Sequence, residues 1–244
     1  MSRAQFGYFS ISRHGAGESD RDYLRWHQLD HMPEQWQIPG IAWGQRWAST
    51  PECRAARAAA EGDWAELGHV VNYLMREPIE QTLDDFFSLA QQLRDAGRFP
   101  FMLPSLFQGA LRLLEMHAAP RALVTAAVVP FRPNRGVYVI VEEPADPDRW
   151  DSYQQSLHVG TLPQILAEPG VAGAWVFGTA AALGHRDIYT EGRYRVTICY
   201  LDDEPAEVAQ RIAVPLRRAW QDGASRPLLA APLESMLAWA WDRF

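Results

Sequence analysis

Tyr23, His27 and His31 stand four residues apart, a spacing that on a helix lines up one phenol and two imidazoles as a single stripe. Imidazoles move protons near neutral pH, and a carboxylate partner fixes their tautomer and raises their basicity. Asp30 offers that carboxylate. Adjacent residues diverge by about 100° around a helix, so Asp30 is better placed to hold His27 than His31. If His31 ends a helical turn, the dipole there favours its protonated form, which suits a general acid or an anion-binding group. The plainer reading is a half-buried helix face whose polar tips bond to backbone or water. His27-x-x-Asp30-His31 also has the form H-x-x-D-H, near the inverted zinc-protease motif. That motif needs Glu where Asp30 stands, and only His69 could add a third ligand, so no metal is expected.

A second group lies in residues 68–76, where alternation puts His69, Val71 and Tyr73 on one face of a strand. His69 is either a satisfied core histidine or a second acid/base group with Tyr73 as hydroxyl donor. Trp43 and Trp47 either pack a core or wall a pocket for a flat aromatic ligand. Arg46 is either a solvated strand-end charge or the anchor for a carboxylate or enolate. Tyr8 and Tyr23 complete the candidate substrate-binding set. His158 reads as a surface or second-site residue, while His14, His117 and His185 suggest nothing specific.

The composition removes several chemistries. All 23 basic residues are Arg, so a Schiff base, pyridoxal phosphate or a Walker-type loop has no lysine to use. No Gly-x-Ser-x-Gly elbow or Gly-x-Gly-x-x-Gly turn is present, which argues against an acyl-enzyme hydrolase and a dinucleotide site. The net charge of −7 is spread over both halves without a basic stripe, so neither nucleic acid nor a membrane surface is an expected partner. Two lone cysteines, Cys53 and Cys199, do not suggest a disulfide framework. With no apolar signal core and no long apolar run, a cytoplasmic protein is expected.

These residues need elements to carry them. Residues 5–12 read as a strand. A helix follows with Ser19 as N-cap, and Pro33 should kink it or end it near Met32. Pro39-Gly40 turns into a strand over 41–48, with Trp43, Gln45 and Trp47 on one face. Residues 51–66 read as a surface excursion with some helix. A strand over 68–76, a helix over 78–96 and a strand within 107–116 complete a first unit, residues 1–118. Residues 119–134 connect and could add an edge strand. The second unit, residues 135–244, repeats the order: strand 136–142, helix 148–166, strands 170–179 and 194–201, helix 204–221 and a closing strand 233–241.

The repetition is visible in the residues themselves. Tyr8, Tyr23, Pro33 and Pro39-Gly40-Ile41-Ala42 return 130 positions later as Tyr138, Tyr153, Pro163 and Pro169-Gly170-Val171-Ala172. His27 and His31, however, are matched by Leu157 and Thr161. Two split βαβ units in one chain can cover each other's sheets. The predicted fold is therefore α+β: two ferredoxin-like units, antiparallel sheets with helices on one face, packed as a pseudo-dimeric barrel. The mismatch places the working site in the first unit and leaves the second mainly structural.

The run Trp26-His27-Gln28-Leu29-Asp30-His31-Met32-Pro33-Glu34, with Ile38-Pro39-Gly40-Ile41 and Gln45-Arg46-Trp47, resembles the signature helix and strand of the dimeric α+β barrel superfamily. Within it the chain is most similar to the EthD-like group. The resemblance implies a pocket between the sheet and the first helix of a unit, with His31 at its mouth. Superfamily members include cofactor-free monooxygenases, polyketide cyclases, isomerases and haem-handling enzymes, so fold alone does not choose a function. The reading favoured is a cofactor-independent isomerase, dehydratase, cyclase or related lyase, acting on a small apolar molecule of aromatic or polyketide-like type. His31 is its principal acid/base group, supported by His27, Asp30, His69 and Tyr73. The alternatives are a non-catalytic binding or accessory protein and a haem protein with His31 or His69 as axial ligand. A homodimer is compatible with either.

Overall fold

The computed structural model describes residues 4–14, 18–179, 193–237 and 239. Among these residues nine strands form: β1 (Ala4–Arg13), β2 (Ile41–Ala48), β3 (Ala59–Ala60), β4 (Leu67–Arg76), β5 (Ser105–Ala118), β6 (Gly136–Pro144), β7 (Val171–Gly178), β8 (Arg195–Leu201) and β9 (Ser225–Ser235). Eight of them close into an antiparallel ring, β2-β4-β1-β5-β7-β8-β6-β9, and β9 returns to β2. β3 adds two residues to the side of β9. The run β2-β4-β1-β5 and the run β7-β8-β6-β9 have the same internal order, and each donates its last strand to the other.

Alternation drives the closure. Phe9, Ile11, Trp47, Val70 and Leu74 from one run meet Val137, Val139, Trp175, Phe177, Val196 and Ile198 from the other inside the ring, all fully or almost fully buried. An open half-sheet would leave that apolar face in water, at a cost of about 25 cal/mol per Å².

The ring is pinned where β2 meets β9, at Trp47 opposite Ser235 and Ala48 opposite Glu234. Asn134 accepts there from the Trp47 indole (3.0 Å), Gln45 Nε2 (3.3 Å) and Ser235 Oγ (2.7 Å), and its amide donates to Gln45 Oε1 at 3.1 Å. Thr50 Oγ1 donates to Glu234 across the same seam at 3.0 Å.

Helices cover the outside. The first comprises α1 (Glu18–Trp26), a π turn (His27–His31) and α2 (Met32–Trp36). Ser19 falls within its first turn, because the helix begins one residue before the expected cap. Pro33 neither ends nor breaks it. A proline ring clashes with the carbonyl four residues back, and the wider turn just before Pro33 accommodates it, with the Met32 N–H reaching the His27 carbonyl. The same solution recurs 130 residues later: α5 (Trp150–Ser156), a π turn (Leu157–Thr161) before Pro163, and α6 (Leu162–Ala167).

Two long helices complete the layer, with the short α3 (Pro51–Ala55) between β2 and β3. In α4 (Ile79–Asp95), Ile79, Thr82, Leu83, Phe86, Ala90 and Leu93 form the buried stripe of an amphipathic helix. Its counterpart α7 (Pro205–Gln221) begins and ends 126 residues later. The shared Pro-Gly turn serves two different needs. At Gly40 a Cβ would collide with Thr82 of α4, whereas Gly170 has φ +82°, which L side chains rarely adopt.

Two further expectations need correction. Residues 119–134 add no strand; a 3₁₀ turn, Ala126–Phe131, caps the barrel end and its Ala126 carbonyl accepts from the Trp175 indole at 2.9 Å. Pro130 and Pro133 lack the N–H groups that an edge ladder needs. The closing strand is Ser225–Ser235 rather than 233–241, whose last residues are partly outside the described ones. Cys53 and Cys199 are buried and unbridged. No helix among the described residues is long and apolar enough to cross a membrane.

Asn134→Ala should lower stability by about 1–3 kcal/mol in chemical denaturation, because it strands the buried Trp47 indole N–H at the seam. A loss within a few tenths of a kcal/mol would show that the seam does not depend on this amide.

Candidate functional site

Register builds the site on the outer face of the barrel. Arg46 of β2 lies opposite Val71 of β4, with Gly44 opposite Tyr73 and Ala48 opposite His69. Cross-strand neighbours share a face, so Arg46 is flanked by His69 and Tyr73. The first helix lies over that face. Arg46 Nη1 donates to the Tyr23 hydroxyl at 3.1 Å, and its guanidinium sits 4.6 Å above the Tyr23 ring.

Arg46 is 2% exposed, and its Nε and Nη2 are buried without a hydrogen-bond acceptor. Among the described residues no carboxylate is within ion-pair distance of it. Of the two readings of Arg46, the solvated strand-end charge is thus overturned, and a guanidinium does not lose its proton to escape burial.

The imidazoles are close by and also buried. His27 and His31 are 5.3 Å apart between ring centroids, and Nδ1 of each has no partner. In the π turn, residue i+5 comes over residue i, and Trp26 accordingly stacks on His31 at 4.8 Å and 24°. Phe99 meets His31 edge-on at 4.8 Å, Phe101 lies 5.6 Å from Trp26, and Gln35 Nε2 is 3.4 Å from His31 Nε2. Phe99 and Phe101 belong to the irregular segment between α4 and β5, which an Arg98–Glu34 ion pair ties to α2. His69 is fully buried, with Nε2 3.0 Å from Asp20 Oδ1; Asp20 Oδ2 is 3.2 Å from His14 Nδ1.

Burial, and after it the Arg46 charge, holds His31 down to about 4 and His27 well below its ordinary value. His69 is also held at about 4 by burial and Arg46, against the opposing pull of Asp20. All three imidazoles are therefore neutral at pH 7. His31 sits inside a continuous helix rather than at its end, so the helix-end argument for a protonated His31 does not apply. Tyr73 is pushed up by burial and keeps its proton.

Of the residues singled out in the sequence, Tyr23, His27, His31, Arg46, His69 and Tyr73 come together. Tyr8 lies behind them, packed on Phe86 at 4.8 Å. Asp30 does not join: it is exposed and holds neither histidine. Trp47 faces the barrel interior, and Trp43 is 38% exposed and stacks on Trp36, so neither walls this site. His185 lies outside the described residues. Asp20, His14, Trp26 and the Phe99/Phe101 cover were missed. Arg46, which was singled out, also differs between the halves: Val176 stands at the 130-residue offset.

The other half supplies the contrast. Arg195 of β8, 3% exposed, stacks on Tyr153 at 3.7 Å but has a counterion, Glu142 Oε2 at 2.6 Å. Burial works against the Glu142 charge, yet Arg195, Trp220 and Ser225 together hold its carboxyl below the usual range. Position 12, which matches Glu142, is a serine.

Two outcomes follow. Arg195→Met should cost about 3–5 kcal/mol by orphaning Glu142, whereas Arg46→Met should stabilise the ligand-free protein, by roughly 1 kcal/mol or more. Equal losses in denaturation experiments would mean that Arg46 has a counter-charge. Second, a histidine titrating near 4 when folded and 6.5 when unfolded makes stability fall as pH drops through that window. His31→Gln should remove up to about 1.4 kcal/mol per pH unit of that slope, read from denaturation midpoints at pH 5 and 7; an unchanged slope would mean that His31 is protonated in the fold.

Comparison with known proteins supports the architecture. No protein-family model matches the chain, and no curated protein matches it significantly. Among solved structures, an anthrone oxidase-like protein superposes with a TM-score of 0.58 at 11% identity, covering 96% of this chain and 92% of that one. A candidate chlorite dismutase gives 0.56 at 14% identity, covering 95% of each chain. The chlorite dismutase of Candidatus Nitrospira defluvii, as an arginine-to-alanine mutant, gives 0.50 at 12%, covering 96% of this chain and 92% of that one. At these identities the likeness shows the fold alone, that of the dimeric α+β barrel proteins.

Proposed function

We propose that the protein is a cofactor-independent enzyme that moves protons on a small, largely apolar molecule of aromatic or polyketide-like type, as an isomerase, dehydratase, cyclase or related lyase. The observation that carries this reading is Arg46: a buried guanidinium with two groups unused and no counterion among the described residues. An enolate, phenolate or carboxylate oxygen would supply the missing charge, and Nε and Nη2 would bind it.

The surrounding groups then have roles. His31, neutral and under the influence of the Arg46 charge, is the base that takes a proton from carbon, and the electrons move toward the oxygen held by Arg46. The developing oxyanion offsets the guanidinium, which removes one of the two causes that keep His31 unprotonated. His27 supports it as a second neutral imidazole. Tyr73 retains its proton as a hydrogen-bond donor, and Asp20 orients His69. Trp26, Phe99 and Phe101 would lie against a flat apolar body, and entry would require the segment carrying Phe99 and Phe101 to lift.

The EthD-like resemblance and a working site confined to the first unit, residues 1–118, belong to this reading. So does the second unit, residues 135–244, as mainly structural. An anthrone is a tricyclic aromatic ketone, and the anthrone oxidase-like neighbour fits that substrate class. Accessory binding is the second reading, because Arg46 alone would hold an anion without turnover. Haem fits poorly. An axial histidine ligates through one nitrogen and donates the other to a partner; His69 has Nε2 on Asp20, but its unpartnered Nδ1 is fully buried among protein atoms. His31 has Trp26 stacked on one ring face and Phe99 edge-on.

The test is carbon–hydrogen exchange in deuterated water, followed by NMR, with anthrone and a panel of enolisable aromatic ketones. The wild type should accelerate exchange, His31→Gln should slow it by about 10²- to 10⁴-fold with binding retained, and Arg46→Met should lose binding. Binding without exchange would replace the enzyme with an accessory binder, and neither binding nor exchange across the panel would sink both.

A further inference from the structure

A second cluster of ligating side chains lies at the junction of the two runs of strands, away from Arg46. In the pairing of β5 with β7 the register shifts between Leu113 and Glu115. An extra residue there reverses the alternation of side chains. Leu113 and Ala118, of opposite parity, both pack on the barrel core as a result. Glu115 and His117 between them point outward, toward the π turn that carries His158.

The three side chains converge. Glu115 Oε2 lies 2.7 Å from His117 Nε2 and 2.7 Å from His158 Nδ1. Two imidazole nitrogens from different elements thus meet at one carboxylate oxygen. They border an open cavity that Met116, Asp151, Gln154 and Gln155 also line.

We propose that Glu115, His117 and His158 form a binding site for a first-row divalent transition-metal ion, with Zn²⁺ as the probe that tests it. Two imidazoles and one carboxylate are a donor set for such ions, and three protein ligands leave a position open to water or an external ligand. Ligands at 2.0–2.2 Å around a tetrahedral ion stand about 3.4 Å from one another. The two separations from Glu115 need to widen by less than about an ångström to admit it, and all three ligand atoms already lie within 4.8 Å of one another. Asp151 and Gln154 on the cavity wall are within the same site and available to a bound water. The other His–carboxylate–His group, His14, Asp20 and His69, is the weaker candidate. Arg54 Nη1 sits 3.1 Å from His14 Nε2, and the Arg46 charge bears on His69; both disfavour a cation.

The site is independent of the proton-transfer reading and is tested without any substrate. Chelator-treated full-length protein is titrated with Zn²⁺ by calorimetry and with Co²⁺ by visible absorption. One saturable equivalent per chain is expected, with d–d bands of a Co²⁺ complex of low coordination number. His158→Ala removes an exposed side chain, and together with Glu115→Gln provides the controls; each should weaken Zn²⁺ binding by more than about tenfold. No saturable binding, or binding that survives both substitutions, would overturn the proposal. Binding lost instead in His14→Ala would assign the ion to the other cluster and overturn it equally.

Discussion

Neither run of four strands can bury its inner face alone, and most of the architecture follows from that constraint. Phe9, Ile11, Val70 and Leu74 are removed from water only because Val137, Val139, Val196 and Ile198 arrive from the other run. Once the ring closes, its interior is filled by apolar side chains and two indoles. Polar chemistry is left to the outer faces, under the helices. Arg46, His69 and Tyr73 sit on that outer face in one half, and Glu115 with His117 at the junction. The barrel is thus the support, and the space between strand and helix is where a charge can be held.

The two halves handle a buried guanidinium differently. Both stack it on the same tyrosine of the first helix, Tyr23 or Tyr153, but deliver it from different strands. Arg195 has Glu142, and the pair is internally neutral. Arg46 faces three neutral imidazoles and a phenol instead. Leaving it so works against the stability of the empty protein, and under the function proposed above an anionic ligand offsets that cost. The contrast is stronger than either site alone, because the packing problem being solved is the same in both.

Much of this was legible in the residues, for identifiable reasons. The strand over 41–48 and the common face of His69, Val71 and Tyr73 follow from a period of two, which the structure keeps. The 130-residue repeat located the helix that carries His27 and His31. Arg46 was legible as a candidate but its burial was not, since its exposure depends on the helix laid over it. Asp30 misled because it was placed by α-helical spacing, and the chain at that point winds as a π turn. His14 and Asp20 meet His69 only through the third dimension. Glu115 and His117 were hidden by a bulge, an irregularity that no periodicity announces.

The π turns have a consequence of a different kind. A helix of uniform pitch fixes which residues share a face by their identity and spacing, so a site on it changes by substitution. Here the orientation of His31 relative to Tyr23 depends on one surplus residue in the winding. Removing any single residue from His27–His31 would restore the ordinary pitch and swing the two segments by about 100° relative to each other. Length, rather than residue type, is therefore a variable through which such a site can be gained or lost. The second half carries the same surplus at Leu157–Thr161, with Leu157 and Thr161 where His27 and His31 stand, and there the winding turns a different imidazole, His158, toward Glu115.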